Sequence, residues 1–306
     1  MVETWGLPVA LDLYFAGLGA GSFCFAVLAS RKRGQGFEMC SRGAAFLAPL
    51  SVAFGLAMLI VDLMYKTRFW FTLRVFNVGS PMSFGVWLLS LFAAISIVYA
   101  LFWLPEPLRA RLPVIGGWNV WQKKRYRSAL GLAGMPIALA VSVYTGVLLS
   151  VSALPLWRNM ALPGLFCFSA MATGFAGGGV IALLTAPRNA MEQPILWLRS
   201  GYRILLPVYL LFALLFLLFS FLYVSRDDLL HLVTGGNGVI WWAGALGLGI
   251  LFPMALILRR GAMNRRRLSV ALYALLVGGF LLRLVLIFAG QVQVNNAAYV
   301  LLQRPW

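Results

Sequence analysis

Eight stretches of about 20 consecutive apolar residues, each long enough to cross a bilayer, divide this 306-residue chain, and no other feature restricts its folding as severely. They lie near residues 7–29, 44–65, 82–104, 129–152, 161–184, 203–225, 238–258 and 268–290. Lipid offers the backbone no hydrogen-bond partners, so a chain crosses it as helices or as a closed barrel. Runs of this length without strict alternation select helices. Composition agrees, with 62% of residues hydrophobic and 11% charged, where a soluble domain carries roughly a quarter charged. The chain reads as an all-α integral membrane protein with one transmembrane domain over 1–306. Its first stretch follows Glu3 and lacks both a basic leader and a small-residue cleavage site, so it is read as a span rather than a signal peptide.

A net charge of +17 invites a nucleic-acid reading, which the distribution of the charge argues against. Basic residues alternate between the two sides of the apolar stretches. One side holds Arg31, Lys32, Arg33 and Arg42, then Arg109, Arg111, Lys123, Lys124, Arg125 and Arg127, then Arg188, Arg199 and Arg203, and last Arg259, Arg260, Arg265, Arg266 and Arg267. The other side has Lys66, Arg68, Arg74, Arg158, Arg226 and Arg304. The positive-inside rule assigns the richer side to the cytoplasm and both termini to the periplasm of a bacterial inner membrane. No cytoplasmic loop exceeds about 25 residues, too short for a nucleic-acid recognition domain.

Cofactor arithmetic removes further classes. His231 is the one histidine, so no haem can be held between two histidines of this chain. Cys24, Cys40 and Cys167 are widely spaced, without a CxxC pair, and read as small apolar fillers rather than metal or disulfide positions.

Ionisable groups inside the membrane cost at least about 2.5–3.5 kcal/mol each and need a reason. Three charged residues fall within the spans: Asp12, Asp62 and Arg283. Counting at about 1.5 Å per residue places all three, with Tyr144, in the outer half. Two carboxylates, a guanidinium and a phenol at common depth suggest one polar pocket that opens outward. A proton-accepting acid beside a hydrogen-bonding phenol suits a ligand that couples electrons to protons, and a quinone fits. Simpler readings stand beside this one: Arg283 pairing with Asp62 to tie two helices, and Asp12 solvated by headgroup water. Gly17 and Gly21, like Gly174 and Gly178, have GxxxG spacing, which lets helices approach closely and can help to shape a cavity for a flat ligand. A proton-coupled transporter or channel would use the same charges; Pro49, Pro136, Pro207 and Pro253 interrupt spans, but no repeat accompanies them.

Several motifs in order resemble one family. Leu11-Asp12-Leu13 with Gly17-Leu18-Gly19-Ala20-Gly21 is similar to the first helix of the NrfD/polysulfide reductase membrane subunits. Asp62, Tyr65, Arg68-Phe69-Trp70 and Ser80-Pro81-Met82-Ser83-Phe84-Gly85-Val86-Trp87 resemble the second and third. Tyr144-Thr145-Gly146 and Leu162-Pro163-Gly164 resemble the fourth and fifth, and Gly278-Gly279, Leu282-Arg283 and Ala289-Gly290-Gln291 the last. The resemblance implies two four-helix bundles, a quinone site (menaquinone or ubiquinone) near the outer face, and no haem or metal in this chain. It implies electron exchange between the quinone pool and a docked periplasmic iron–sulfur subunit of the four-cluster, ferredoxin-like kind, and through it a catalytic subunit. By position, the resemblance makes Asp12 and Tyr144 quinone-binding residues and Asp62 and Arg283 a proton and charge relay; Gly17, whose close packing can shape the cavity, is added to the first set and Arg68 to the second. Asp12 stands where the family places a histidine, and Pro8-Val9-Ala10 offers no equivalent of the neighbouring asparagine.

Overall fold

The computed structural model describes residues 5–62, 81–105, 124–152 and 154–291, and among these every regular element is helical. The long helices are α1 (Leu7–Ser30), α2 (Gln35–Asp62), α3 (Pro81–Leu101), α4 (Lys124–Ser150), α5 (Leu162–Thr185) and α6 (Glu192–Tyr223). A short α7 (Arg226–Val233) precedes α8 (Gly235–Leu258), and α9 (Arg265–Gly290) follows. All but α7 are long and apolar enough to cross a membrane, making eight such helices among the described residues. The chain is a multi-pass membrane protein.

Local chemistry marks the ends. Pro8 and Pro163 sit in the first turns of α1 and α5, where a missing N–H costs no helical bond. The Ser225 hydroxyl accepts from the Asp228 N–H at 3.3 Å to start α7, and the Asn264 side chain accepts from the Arg267 N–H at 3.1 Å to start α9. Two helices begin well before the apolar stretches that announced them: α2 at Gln35 and α6 at Glu192. Hydropathy senses the lipid core, whereas backbone bonding carries a helix on into the headgroup region. Within α8, residues Ile240–Leu251 form a π-helix, the Phe252 N–H bonding the Gly247 carbonyl. Pro253, one residue on, has no N–H for the Gly249 carbonyl, so α-helical pairing is already broken there.

α1 and α5 form the interior: their most apolar windows are 83% and 72% buried, against 28% for α3 and α6. α1 packs against α2, α4, α5 and α9, and α5 touches α1, α2, α4, α6 and α9. α3 lies chiefly on α2 and α4, while α8 packs on α9 and α6. Glycine makes the α1–α5 crossing possible. A Cβ on Gly21 would stand 2.9 Å from the Gly174 Cα, and the Ser22 hydroxyl bonds the Gly174 carbonyl at 3.2 Å. Between α4 and α5, Asn159 ties the connection down, donating to the Phe216 carbonyl and the Ser220 hydroxyl of α6, both at 3.0 Å.

Candidate functional site

Asp12 sits on α1 with 8% of its surface exposed, on the face that packs against α2. Gly55 of α2 leaves the room: a Cβ there would lie 3.1 Å from Asp12 Oδ1. That oxygen is fully enclosed and, among the described residues, has no hydrogen-bond partner. Such an atom costs about 1–3 kcal/mol or more when ionised, so Asp12 is held in place by something other than its own stability.

Asp62 closes α2 and is exposed. It lies seven residues beyond Gly55, about 10 Å nearer the helix end. Tyr144 on α4 is half-buried. The Tyr144 O–H donates to the Pro81 carbonyl at 2.7 Å, at the first residue of α3. Gly85, one turn on, leaves space for the phenol; any Cβ there would collide with it. Tyr144 also lines an open groove of about 580 Å³ between α3 and α4, walled by Phe84, Leu88, Val143 and Val147. A groove of this size, apolar and carrying one hydroxyl, is of the kind that holds flat organic ligands.

Arg283 is fully buried on α9 at the same level, because its Nε donates to the carbonyl of Leu13 at 3.1 Å. Its Nη1 donates to the Ser169 hydroxyl and to the Gly279 carbonyl, both at 2.9 Å. The guanidinium also stands over the Phe166 and Tyr14 rings, 5.2 and 5.6 Å from their centroids, adding cation–π attraction. Among the described residues no carboxylate pairs with it, and Nη2 is buried without a partner. The tie between Arg283 and Asp62 weighed from sequence is therefore not formed.

Gly17 belongs with Arg283 rather than with Asp12. A Cβ at Gly17 would lie 2.7 Å from Nη2 of Arg283 and 3.1 Å from the Ala170 Cβ. Five residues turn a helix by about 140°, so Gly17 and Asp12 point to different faces of α1. The structure thus turns Asp12 toward Gly55 of α2, places Gly17 with Arg283 on another side of α1, and sets Tyr144 in the groove between α3 and α4. Arg68 and the aromatic–basic segment 65–73 lie outside the described residues. Among the residues that are described, no three His, Cys, Asp or Glu side chains gather as a metal site.

Sequence reasoning missed Ser169 and Gly55 and took in Gly85 only as part of a motif, without a role; each positions one of the charged or phenolic groups. A serine in an apolar helix and glycines among many carry no local mark of such a role; only the facing helix gives them meaning. A larger cleft, about 730 Å³, is elsewhere: it lies at the other end of α9, beside Glu192, Arg265 and Arg266.

Comparison with known proteins matches residues 2–295 to a family described as polysulphide reductase, NrfD. The chain is 29% identical over 302 residues to a polysulfide reductase chain of Wolinella succinogenes, covering 94% of each. It is 29% identical over 313 residues to protein NrfD of Escherichia coli, covering 95% of this chain and 96% of that one. A selenate reductase subunit of Mesobacillus selenatarsenatis is 25% identical over 305 residues, 88% of this chain and 71% of its own.

Proposed function

Because the chain belongs to the polysulphide reductase NrfD family, we propose that it is the quinone-reactive membrane subunit of a respiratory oxidoreductase. It exchanges electrons between the membrane quinone pool, menaquinone or ubiquinone, and a periplasmic iron–sulfur subunit of the four-cluster kind. That subunit passes them to or from a catalytic partner. In this reading both termini face the periplasm, and α1–α4 and α5–α9 form two four-helix bundles that meet along α1 and α5.

One observation carries the assignment: an apolar groove between α3 and α4, open to lipid, bears a single phenol, and a carboxylate is enclosed between α1, which packs on α4, and α2. A bound quinol supplies two electrons and two protons when it is oxidised. Tyr144 already donates its proton to the Pro81 carbonyl, so its oxygen is free to accept from a ring hydroxyl. Asp12 takes up the two protons one after the other in the enclosed site, its Oδ1 being the atom available for each, as the two electrons pass to the iron–sulfur subunit. Asp62, exposed at the end of α2, releases each proton in turn to water. Arg283, at the same depth on the other side of α1, places a fixed positive charge near any negative charge that develops there. Arg68 is assigned to the mouth of this relay. Whether protons are carried across the membrane turns on whether Asp12 has a second route to the far side, and proton translocation is part of the proposal in that sense.

Quinol-dependent reduction of the co-purified iron–sulfur subunit, followed by its visible absorbance, tests the reading. Asp12→Asn keeps the shape of the side chain and removes the proton acceptor; turnover is expected to fall at least about a hundredfold. Tyr144→Phe removes one neutral hydrogen bond, worth about 1 kcal/mol, and is expected to raise the apparent KM for quinol roughly fivefold. Full turnover in both variants refutes the site. Proton flux without any quinol-dependent reduction supports a transporter or channel instead.

A further inference from the structure

Arg31 and Lys32 follow α1 directly, nineteen residues beyond Asp12 and about 28 Å away along the helix. Beside them a groove of about 420 Å³ runs between α1, α5 and α6, walled by Leu28, Phe175, Trp197 and Leu198. Both cations are exposed, and neither side chain has a hydrogen-bond or ion-pair partner among the described residues. No carboxylate lines this groove, whereas the larger cleft at the same end of the molecule sets Glu192 among its arginines. The next cation on α6, Arg199, is turned away, donating to the carbonyls of Ile257, Arg259 and Gly261 at 3.2, 2.8 and 2.8 Å.

The groove is amphipathic along its length. Phe175 lies one residue beyond Gly174, which meets Gly21 of the parallel α1, so Phe175 is level with Ser22. From that level to Arg31 is nine residues, about 13 Å. The apolar part therefore descends some way into the membrane below the two charges. Trp197 is set firmly, its ring 5.5 Å from that of Phe25 and 5.8 Å from that of Phe37. Gly201 leaves the groove unobstructed, since a Cβ built there meets nothing within 4 Å. The positive-inside rule explains why cations stand at this end of α1, but not why an aromatic-walled channel runs from them into the lipid.

We propose that this groove binds one anionic phospholipid, with its phosphate between Arg31 and Lys32 and an acyl chain against Phe175, Trp197 and Leu198. Unpaired cations near the membrane surface attract anionic headgroups, and the apolar channel selects a lipid over a free phosphate, which has no use for it. The site is independent of the quinone reading, because its residues lie at the opposite end of α1.

Native mass spectrometry of the full chain, released from vesicles of phosphatidylcholine and phosphatidylglycerol, tests the proposal. One phosphatidylglycerol is expected to be retained in preference to phosphatidylcholine. In Arg31→Gln/Lys32→Gln, retention is expected to weaken roughly 30-fold, about fivefold for each cation removed. Gly201→Leu fills the channel without touching either cation and is expected to lose the lipid as well, with thermal unfolding and quinol turnover like the parent's. Equal retention of the two lipids overturns the proposal, as does a Gly201→Leu protein that still holds phosphatidylglycerol. Displacement of the lipid by millimolar inorganic phosphate overturns it too, because it marks a site for the phosphate alone.

Discussion

Arg283 is held by neutral groups on every side: the Leu13 and Gly279 carbonyls, the Ser169 hydroxyl and two aromatic faces. Both carbonyls lie inside helices whose own backbone bonds do not need it. Removing a buried charge in favour of an apolar chain of similar length is often neutral or stabilising. Arg283→Met is therefore expected to unfold within a few degrees of the parent in a thermal melt, while quinol-dependent turnover is lost. A sharply lowered melting temperature, with turnover retained per folded molecule, would make Arg283 a structural residue only. At Tyr144 the matching variant is Gly85→Ala. Its new methyl group collides with the phenol, so the groove should lose quinol affinity as much as in Tyr144→Phe, read as a raised KM. The cost of charge in lipid made Asp12 and Arg283 legible in the sequence. Their surroundings were not legible, nor were those of Tyr144, because Gly55, Ser169 and Gly85 become neighbours of Asp12, Arg283 and Tyr144 only across helix interfaces.

Between elements, the α1–α5 crossing depends on Gly21 and Gly174. Gly21→Val drives a branched side chain into the α5 backbone, and such overpacking costs about 1–3 kcal/mol; a lower melting temperature in detergent is the expected readout. Gly201→Ala provides the contrast, since it adds a methyl where nothing stands within 4 Å. It should leave stability unchanged or raise it by up to about 1 kcal/mol through helix propensity. GxxxG spacing singled out Gly21 and Gly174 in the sequence, yet it paired them with Gly17 and Gly178 rather than with each other, and did not reveal that Gly17 faces a guanidinium. The number of membrane helices was also legible, because each needs its own apolar run. The extra turns of α2 and α6 were not, nor was the π-helix of α8, since polar residues at a membrane surface read alike in helix and loop.

Across the whole molecule, the distribution of charge predicts the orientation. Met160, 91% exposed between α4 and α5, and Ala262, exposed between α8 and α9, lie at opposite ends of the protein. In a background lacking Cys24, Cys40 and Cys167, Met160→Cys is expected to react with an impermeant thiol reagent from the periplasm. Ala262→Cys should react only after the membrane is opened. The reverse labelling would turn the protein over and put the Tyr144 groove at the cytoplasmic end.

Hydrophobicity is a one-dimensional property, and lipid allows the backbone few ways to cross it. For that reason the linear order of residues alone determined the helical class, the number of crossings, the sidedness expected of the loops and the unusual status of Asp12, Asp62 and Arg283. Which face each residue shows depends on how helices are rotated and which neighbours they meet, and packing among eight similar apolar surfaces settles that. Only the tertiary structure therefore decided that α1 turns Asp12 toward α2 and Gly17 toward Arg283. It likewise decided that two cations at the far end of α1 sit above an apolar channel.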